Sequence, residues 1–157
     1  MPQLERSPRT ITILLAEDDE DDRQLTRDAL TDEGLAESMQ VVTDGQELLD
    51  YLRQDGDYAP DTVPTPRPSI ILLDLNMPRL NGREALAEIK SDRALRQIPV
   101  VVLATSSDRQ DVDNAYRLGA NSYITKPVEP SQLVEVMKVF IDYWSDTVML
   151  PDDLLSA

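Results

Sequence analysis

Residues 69–82 read SIILLDLNMPRLNG: an unbroken apolar run ends at the carboxylate of Asp74 and is followed at once by a turn rich in Asn, Pro and Gly. The apolar run is typical of a buried strand, and the turn residues return the chain to the surface. A charged carboxylate at the end of a buried strand is costly unless a cation or a covalent bond compensates it. We therefore expect Asp74 to belong to a functional site.

A second apolar run, residues 11–16, also ends in acidic residues, Glu17 and Asp18. If these strands are parallel, their carboxyl ends share the sheet edge at which open α/β sheets bind ligands. The three carboxylates would then lie close together and would need a cation between them. Because the chain has no Cys or His, the ligands of such a cation would all be oxygen atoms. Hard oxygen ligands favour Mg²⁺. The acids at 19–22 can also cap the next helix, and we expect part of the run to do so.

Two further apolar runs add a hydroxyl and an ammonium group to the same edge. Residues 99–104 are followed by Thr105, and residues 122–125 are followed by Lys126. A phosphoryl group needs hydrogen-bond donors and positive charge around its oxygens, which this combination supplies. The four strand ends together predict a site that admits a phosphoryl group.

The alternation of strands and helices predicts the fold. Apolar runs lie near 11–16, 39–43, 69–74, 99–104 and 122–125, and helical patterns lie at roughly 22–33, 45–53, 83–91, 108–118 and 130–144. This alternation indicates an α/β domain with a parallel sheet covered by helices on both faces. We expect the flavodoxin-like strand order 2-1-3-4-5.

Four motifs now resemble, in the right order, the receiver domain of two-component response regulators. They are the acidic pair at 17–18, the pattern D-x-x-M-P-x-x-N-G from Asp74, Thr-Ser at 105–106 and Lys-Pro at 126–127. The resemblance covers about residues 10–144. It implies that Asp74 is the phosphoacceptor, and that the chain catalyses only its own phosphorylation and dephosphorylation and is not otherwise an enzyme.

The resemblance also implies the roles of the other site residues. Asp18 would bind the Mg²⁺ ion directly, Glu17 would reach it through water, and Asn76 would offer its backbone carbonyl. Thr105 would supply the hydroxyl that closes on the phosphoryl group, and Lys126 would form an ion pair with that group. Tyr123 would be the aromatic switch. The resemblance also implies a cis bond between Lys126 and Pro127.

Length and composition limit the classes of function and partner that fit this chain. The 157 residues suffice for one domain but not for a receiver and an output domain of ordinary size, so we expect an unknown downstream protein as partner. The net charge of −15 argues against nucleic-acid binding. Without a leader or a membrane-length apolar run, we expect a cytoplasmic chain that contacts no membrane. Because the chain has no His, a separate histidine kinase or a small acyl phosphate must donate the phosphate.

Three segments lie outside the regular pattern. Residues 1–9 form a predicted loose arm, residues 10–144 the receiver domain, and residues 145–157 a C-terminal tail. The proline-rich stretch 55–68 is longer than such a connection needs, and it is either an inert insertion or a contact surface.

The last helix and the tail predict a homodimer. One stripe of the helix is apolar, as core packing requires, but Tyr143 lies off that stripe, and Val148 and Leu150 follow beyond it. The tail either folds back on its own subunit or is left disordered, or it crosses to a second copy. The predicted dimer contacts are Phe140, Tyr143, Trp144, Val148 and Leu150.

The same ending and the proline-rich stretch resemble the small single-domain regulators that are paired with bacterial and cyanobacterial phytochromes. The relevant residues are FIDYW at 140–144 and VMLP at 148–151. This resemblance implies a red-light-sensing histidine kinase as the donor and a dimer held by the tail.

Three other functions compete with this interpretation. A phosphohydrolase with a strand-end nucleophile would need an acid two residues after Asp74, where this chain has Asn76. A pseudo-receiver would bind partners without phosphate, although the acids, Thr105 and Lys126 are all present. A phosphate sink would drain a shared kinase without an output partner, and the sequence does not separate it from a signalling regulator.

Overall fold

The computed structural model of the chain describes residues 11–61 and 65–151. Within these ranges the strands are β1 Ile13–Ala16, β2 Met39–Val42, β3 Ile70–Asp74, β4 Val100–Ala104 and β5 Ser122–Thr125. The helices are α1 Glu20–Asp32, α2 Gly45–Arg53, α3 Gly82–Ser91, α4 Arg109–Arg117 and α5 Pro130–Asp142. All neighbouring strands are parallel, in the order β2-β1-β3-β4-β5, so the predicted fold is confirmed. None of the described helices combines the length and hydropathy needed to cross a membrane.

Both faces of the sheet are covered, which explains why its central strands read as continuous apolar runs. Alternate residues of β1 and β3 point to opposite faces. Leu14 and Ile71 pack with α2, α3 and α4 on one face, whereas Leu15 and Leu72 pack with α1 and α5 on the other. The strands are thereby fixed in register, and their carboxyl ends form one rigid edge.

Helix caps and one close approach fix the loops along this edge. The Asp19 carboxylate accepts a hydrogen bond from the Asp22 amide, so α1 begins at Glu20 and the predicted capping role of the acidic run is borne out for Asp19. At the start of α3, a Cβ on Gly82 would lie 2.5 Å from the Leu75 Cα atom and 2.6 Å from the Asp74 carbonyl oxygen. Only glycine allows α3 to begin this close to the end of β3.

The proline-rich stretch is anchored on α2 where the structure describes it. It contains a 3₁₀ turn at Gly56–Tyr58, and the Tyr58 ring meets the Tyr51 ring edge-on with centroids 5.2 Å apart. The Tyr51 hydroxyl donates a hydrogen bond to the Pro66 carbonyl, and the Tyr58 hydroxyl donates one to Glu47. Residues 62–64 and the predicted arm at 1–9 lie outside the described residues.

The chain folds back on its own subunit after α5. A π-helical turn at Tyr143–Thr147 follows the helix, and both Trp144 and Leu150 pack against the core formed by α1, α5 and the sheet. Phe140 is only 5% exposed in that core. Its predicted role as a dimer contact is therefore wrong, because the apolar stripe of α5 faces the sheet. Residues 152–157 of the predicted tail lie outside the described residues.

Candidate functional site

The carboxyl ends of four strands deliver the candidate residues to one edge of the sheet. Glu17 and Asp18 follow β1, and Asp74 is the last residue of β3. Asp74 is in register with Leu103 of β4, and Thr105 follows directly after the end of that neighbouring strand. Lys126 follows β5, and its amide donates a 2.7 Å hydrogen bond to the Ala104 carbonyl. The residues predicted from separate segments thus converge.

Three carboxylates form the centre of the site. Glu17, Asp18 and Asp74 each place one oxygen so that all three oxygens lie within 4.8 Å of one another. Glu17 and Asp74 are buried, at 1% and 3% exposed, whereas Asp18 is open to solvent. The cluster is therefore accessible from the side of Asp18. The Asn76 amide donates to Asp74 Oδ1 at 3.0 Å, which orders the loop after the strand; metal binding by the Asn76 carbonyl stays a prediction.

Lys126 is the cation of the site. Its Nζ atom lies 2.8 Å from Glu17 Oε1 and 3.2 Å from Asp74 Oδ2, and the side chain is only 9% exposed. It also makes a 2.8 Å contact to Asp22, in the first turn of α1. Burial lowers the pKa of Lys126, but the hydrogen bond to Asp22 and the close ion pair with Glu17 outweigh burial and raise the pKa above its ordinary value. The group is a charged ammonium at neutral pH.

One ammonium does not satisfy all of these carboxylates. Glu17 Oε1 is buried and receives no hydrogen bond, although it lies close to the Lys126 Nζ atom. Burial, together with a hydrogen bond to Asp74, raises the pKa of Glu17 to about 8, and Lys126 offsets only part of this shift. An unsatisfied oxygen within an all-oxygen donor set fits a hard divalent cation such as Mg²⁺. Glu17, Asp18 and Asp74 are the side chains that would hold it.

The uncompensated charge predicts that Glu17→Gln stabilises the metal-free protein. With its pKa raised from 4.5 to about 8, folded Glu17 retains a proton that the unfolded chain releases. Its stabilising contribution is thus fully present below the unfolded pKa and is lost as the pH rises toward the folded pKa. Gln stays neutral at every pH, so the stability of Glu17→Gln relative to the wild type should increase between about pH 5 and about pH 8. Near the upper end of this range the Tm of the variant should exceed that of the wild type by about 5 °C. Thermal unfolding in a chelator measures this, and a pH-independent difference would contradict it.

The two predicted switch residues are Thr105, in the loop after β4, and Tyr123 in β5, close to that loop. Thr105 is exposed at the site, and the Tyr123 hydroxyl donates a 2.7 Å hydrogen bond to the carbonyl of the next residue, Ser106. The Ser106 hydroxyl donates in turn to Asp111 of α4, also at 2.7 Å. Tyr123 is therefore linked to the loop that carries Thr105. The sequence interpretation missed Ser106 and Asp111 as parts of this connection.

The surroundings of Lys126 differ from the prediction in two respects, its contact with Asp22 and the peptide bond that follows it. The sequence interpretation assigned Asp22 only to helix capping and missed its contact with the ammonium; its position in the first turn of a helix that starts beside the acidic pair was the available signal. The expected cis bond between Lys126 and Pro127 is wrong, because no peptide bond between described residues is cis. Lys126 reaches its carboxylates with the trans bond that is generally the more stable form.

A family model that describes the response regulator receiver domain matches residues 13–138. The chain belongs to this family. Response regulator Rcp1 of Synechocystis is 40% identical over 139 residues, which are 88% of this chain and 92% of Rcp1. The match agrees with the resemblance predicted from the four motifs, and it makes this chain a receiver domain.

Solved structures of other regulators share the fold of this receiver domain over nearly their whole length. The phosphorylated cyanobacterial phytochrome response regulator RcpA is 44% identical with a TM-score of 0.84, and the match covers 90% of this chain and 99% of RcpA. The Mn²⁺-bound form of Rcp1 is 39% identical with a TM-score of 0.83 and the same coverage. Regulator RPA3017, from red light signaling of R. palustris, is 33% identical with a TM-score of 0.80, again at 90% and 99% coverage. The predicted similarity to phytochrome regulators is confirmed.

Proposed function

We propose that this receiver domain accepts a phosphoryl group on Asp74 from a partner histidine kinase and signals by phosphorylation-dependent binding to another protein. One observation carries the proposal. Asp74, the buried carboxylate at the end of β3, belongs to a cluster of three acids that could hold a metal ion, and it also lies 3.2 Å from a buried ammonium. A structural ion pair does not need three carboxylates around one lysine. Phosphoryl transfer, in contrast, needs both a cation site and a fixed positive charge.

The chemistry follows from the positions of these groups. An Asp74 carboxylate oxygen forms a bond to phosphorus as the bond between phosphorus and the donor nitrogen of a phosphohistidine breaks, and the electron pair stays on that nitrogen. With no His in the chain, the nitrogen belongs to another protein. The Lys126 ammonium balances charge on the phosphoryl oxygens, and the Thr105 hydroxyl donates a hydrogen bond to one of them. When bound by Glu17, Asp18 and Asp74, Mg²⁺ would supply the remaining positive charge.

The readout proposed for phosphorylation runs through the loop after β4. As Thr105 moves toward the phosphoryl group, the loop that accepts the Tyr123 hydrogen bond through Ser106 moves with it. The surface of α4, β5 and α5 then differs between the two states. A phosphoryl group shifts this equilibrium because the Thr105 hydrogen bond exists in one state only. A downstream protein that binds this surface would read the difference.

The proposed donor is a phytochrome kinase. RcpA is a phytochrome response regulator, RPA3017 acts in red light signaling, and both match this chain over 99% of their length. An autophosphorylated phytochrome histidine kinase should therefore transfer phosphate to this protein at least about tenfold faster than a histidine kinase of another sensor class. Radiolabel transfer measured side by side provides the comparison. Equal rates would contradict the pairing, and no transfer from either kinase would contradict the proposed function.

The proposal includes a homodimer, which the exposed apolar residues near the C-terminus support. Val139, Tyr143 and Met149 are 69%, 48% and 81% exposed. Covering apolar side chains contributes about 1.5–3 kcal/mol for each one fully buried. Replacing Tyr143 and Met149 together with Ser should shift the protein toward monomer, whereas Tyr116→Ser, at a similarly exposed site on α4, should not. Sedimentation at micromolar concentration tests this, and the dimer is excluded if wild type and double variant sediment as one species.

A further inference from the structure

Lys126 binds one carboxylate that has no part in the proposed chemistry. Its ammonium donates hydrogen bonds to Asp22 at 2.8 Å and to Asp74 at 3.2 Å. Asp22 belongs to α1, four residues beyond the acidic pair. In this structure the ammonium is therefore held more closely by the first turn of α1 than by the phosphoacceptor.

The backbone around Asp22 is tied to the site. The Asp22 amide donates to the cap residue Asp19, and the next residue, Arg23, donates from its guanidinium to the carbonyls of Glu17 and Asp18, at 3.2 and 2.9 Å. The Asp22 side chain is only 23% exposed, so solvent screens its contact with Lys126 less than it screens a surface pair. The Asp22 carboxylate is therefore held in a fixed position next to the Lys126 ammonium.

Asp22 lies outside the group of oxygens that could share a metal ion. Among the described residues, that group consists of Glu17, Asp18 and Asp74. If the metal draws on those three carboxylates, Asp22 remains as an acceptor for Lys126. An ammonium has only three N–H donors, so a hydrogen bond to Asp22 is one that a phosphoryl oxygen does not receive.

We infer that Asp22 is a positioning residue that holds Lys126 in the unphosphorylated state and competes with the phosphoryl group for its ammonium. The inference rests on the proposed function, because it requires a phosphoryl group on Asp74. Removing the charge of Asp22 should leave Lys126 freer to bind a phosphoryl group. The gain should depend on Lys126 itself.

Beryllofluoride, a non-covalent mimic of the phosphoryl group, provides an equilibrium probe. With Mg²⁺ at saturation, Asp22→Asn should lower the Kd for beryllofluoride about three- to tenfold, as expected for the loss of one competing charge-assisted hydrogen bond. Fluorine NMR resolves the bound form. Asp21→Asn is the matched control, since Asp21 is an exposed acid in the same turn, and it should change the Kd less than about twofold. Asp22→Glu should restore the wild-type value. Asp22→Ser gives a second charge-removing variant that suits a first helical turn.

A double-mutant cycle separates competition from general repulsion of the anion. In a Lys126→Ala background, Asp22→Asn should have no further effect on the Kd, because no ammonium is left to compete for. The nitrogen-bound proton signal of Lys126 in NMR should also shift in Asp22→Asn before any beryllofluoride is added. Equal gains in Asp21→Asn, or a gain that persists without Lys126, would overturn the inference. No beryllofluoride binding by the wild type would overturn the proposed function and this inference with it.

Discussion

Chelation of divalent metal should reduce the phosphorylation of Asp74 by acetyl phosphate at least about a hundredfold, since losing one preorganised charge at a reacting centre typically costs that much. Among the described residues, three carboxylates could share a metal ion and the Lys126 ammonium lies against two of them, and the proposed reaction must bring a further anion to this site. Asp18→Asn should have a similar effect, because it removes the solvent-facing carboxylate among the proposed metal ligands. Intact-mass measurements over time, with and without chelator, give both rates.

Asp28→Asn is the control for this substitution, because Asp28 is an exposed acid of α1 that bonds to Gln24 and not to the site. It should be phosphorylated at the wild-type rate. Full labelling in the presence of chelator would show that the acidic cluster does not act through a metal ion.

Lys126→Ala should abolish the structural response to phosphorylation while leaving metal binding possible. The substitution removes the charge that faces the phosphoryl group, and it also removes the cation that competes with the metal for Glu17 and Asp74. Mg²⁺ affinity should therefore rise by up to about tenfold. Removing one partner of a buried ion pair costs about 3–5 kcal/mol, so the variant should be much less stable without metal. Mg²⁺ titration, followed by NMR of the Tyr123 region with and without beryllofluoride, measures both effects.

Lys138→Ala provides the comparison. Lys138 forms a 3.1 Å ion pair with Asp32 at the other end of α1, where both side chains are more exposed than Lys126. This variant should keep the wild-type Mg²⁺ affinity and the full response to beryllofluoride. If Lys126→Ala responds to Mg²⁺ and beryllofluoride as Lys138→Ala does, Lys126 is only a structural cation.

Local sequence was sufficient for most of the fold, since the sheet is buried on both faces and its strands are marked by apolar runs. Helix α2 and strand β5 have the predicted bounds, 45–53 and 122–125. Helix α1 begins two residues early because Asp19 caps it, and α5 ends at Asp142 because a π-helical turn follows. Trp144 in this turn and Leu150 after it pack against the core, and such tertiary packing is not encoded in periodicity.

The strand-end residues of the site were also predictable, because parallel topology alone brings them to one edge. The contacts between elements were not. The Asp22 carboxylate reaches Lys126 across 104 positions of sequence, and the link from Tyr123 through Ser106 to Asp111 depends on how the loop after β4 lies against α4. Phe140 was misplaced for the opposite reason, since an apolar residue in an amphipathic helix can face either a core or a partner.

Peptide mapping of the phosphorylated protein tests the central claim most directly. After incubation with acetyl phosphate and Mg²⁺, intact-mass analysis should show one phosphate adduct on the wild type, and fragment masses should place it on Asp74. The Asp74→Asn protein, whose side chain lacks the nucleophilic carboxylate, should show no adduct under the same conditions. A phosphate adduct on Asp74→Asn, or an adduct on another residue of the wild type, would contradict the account.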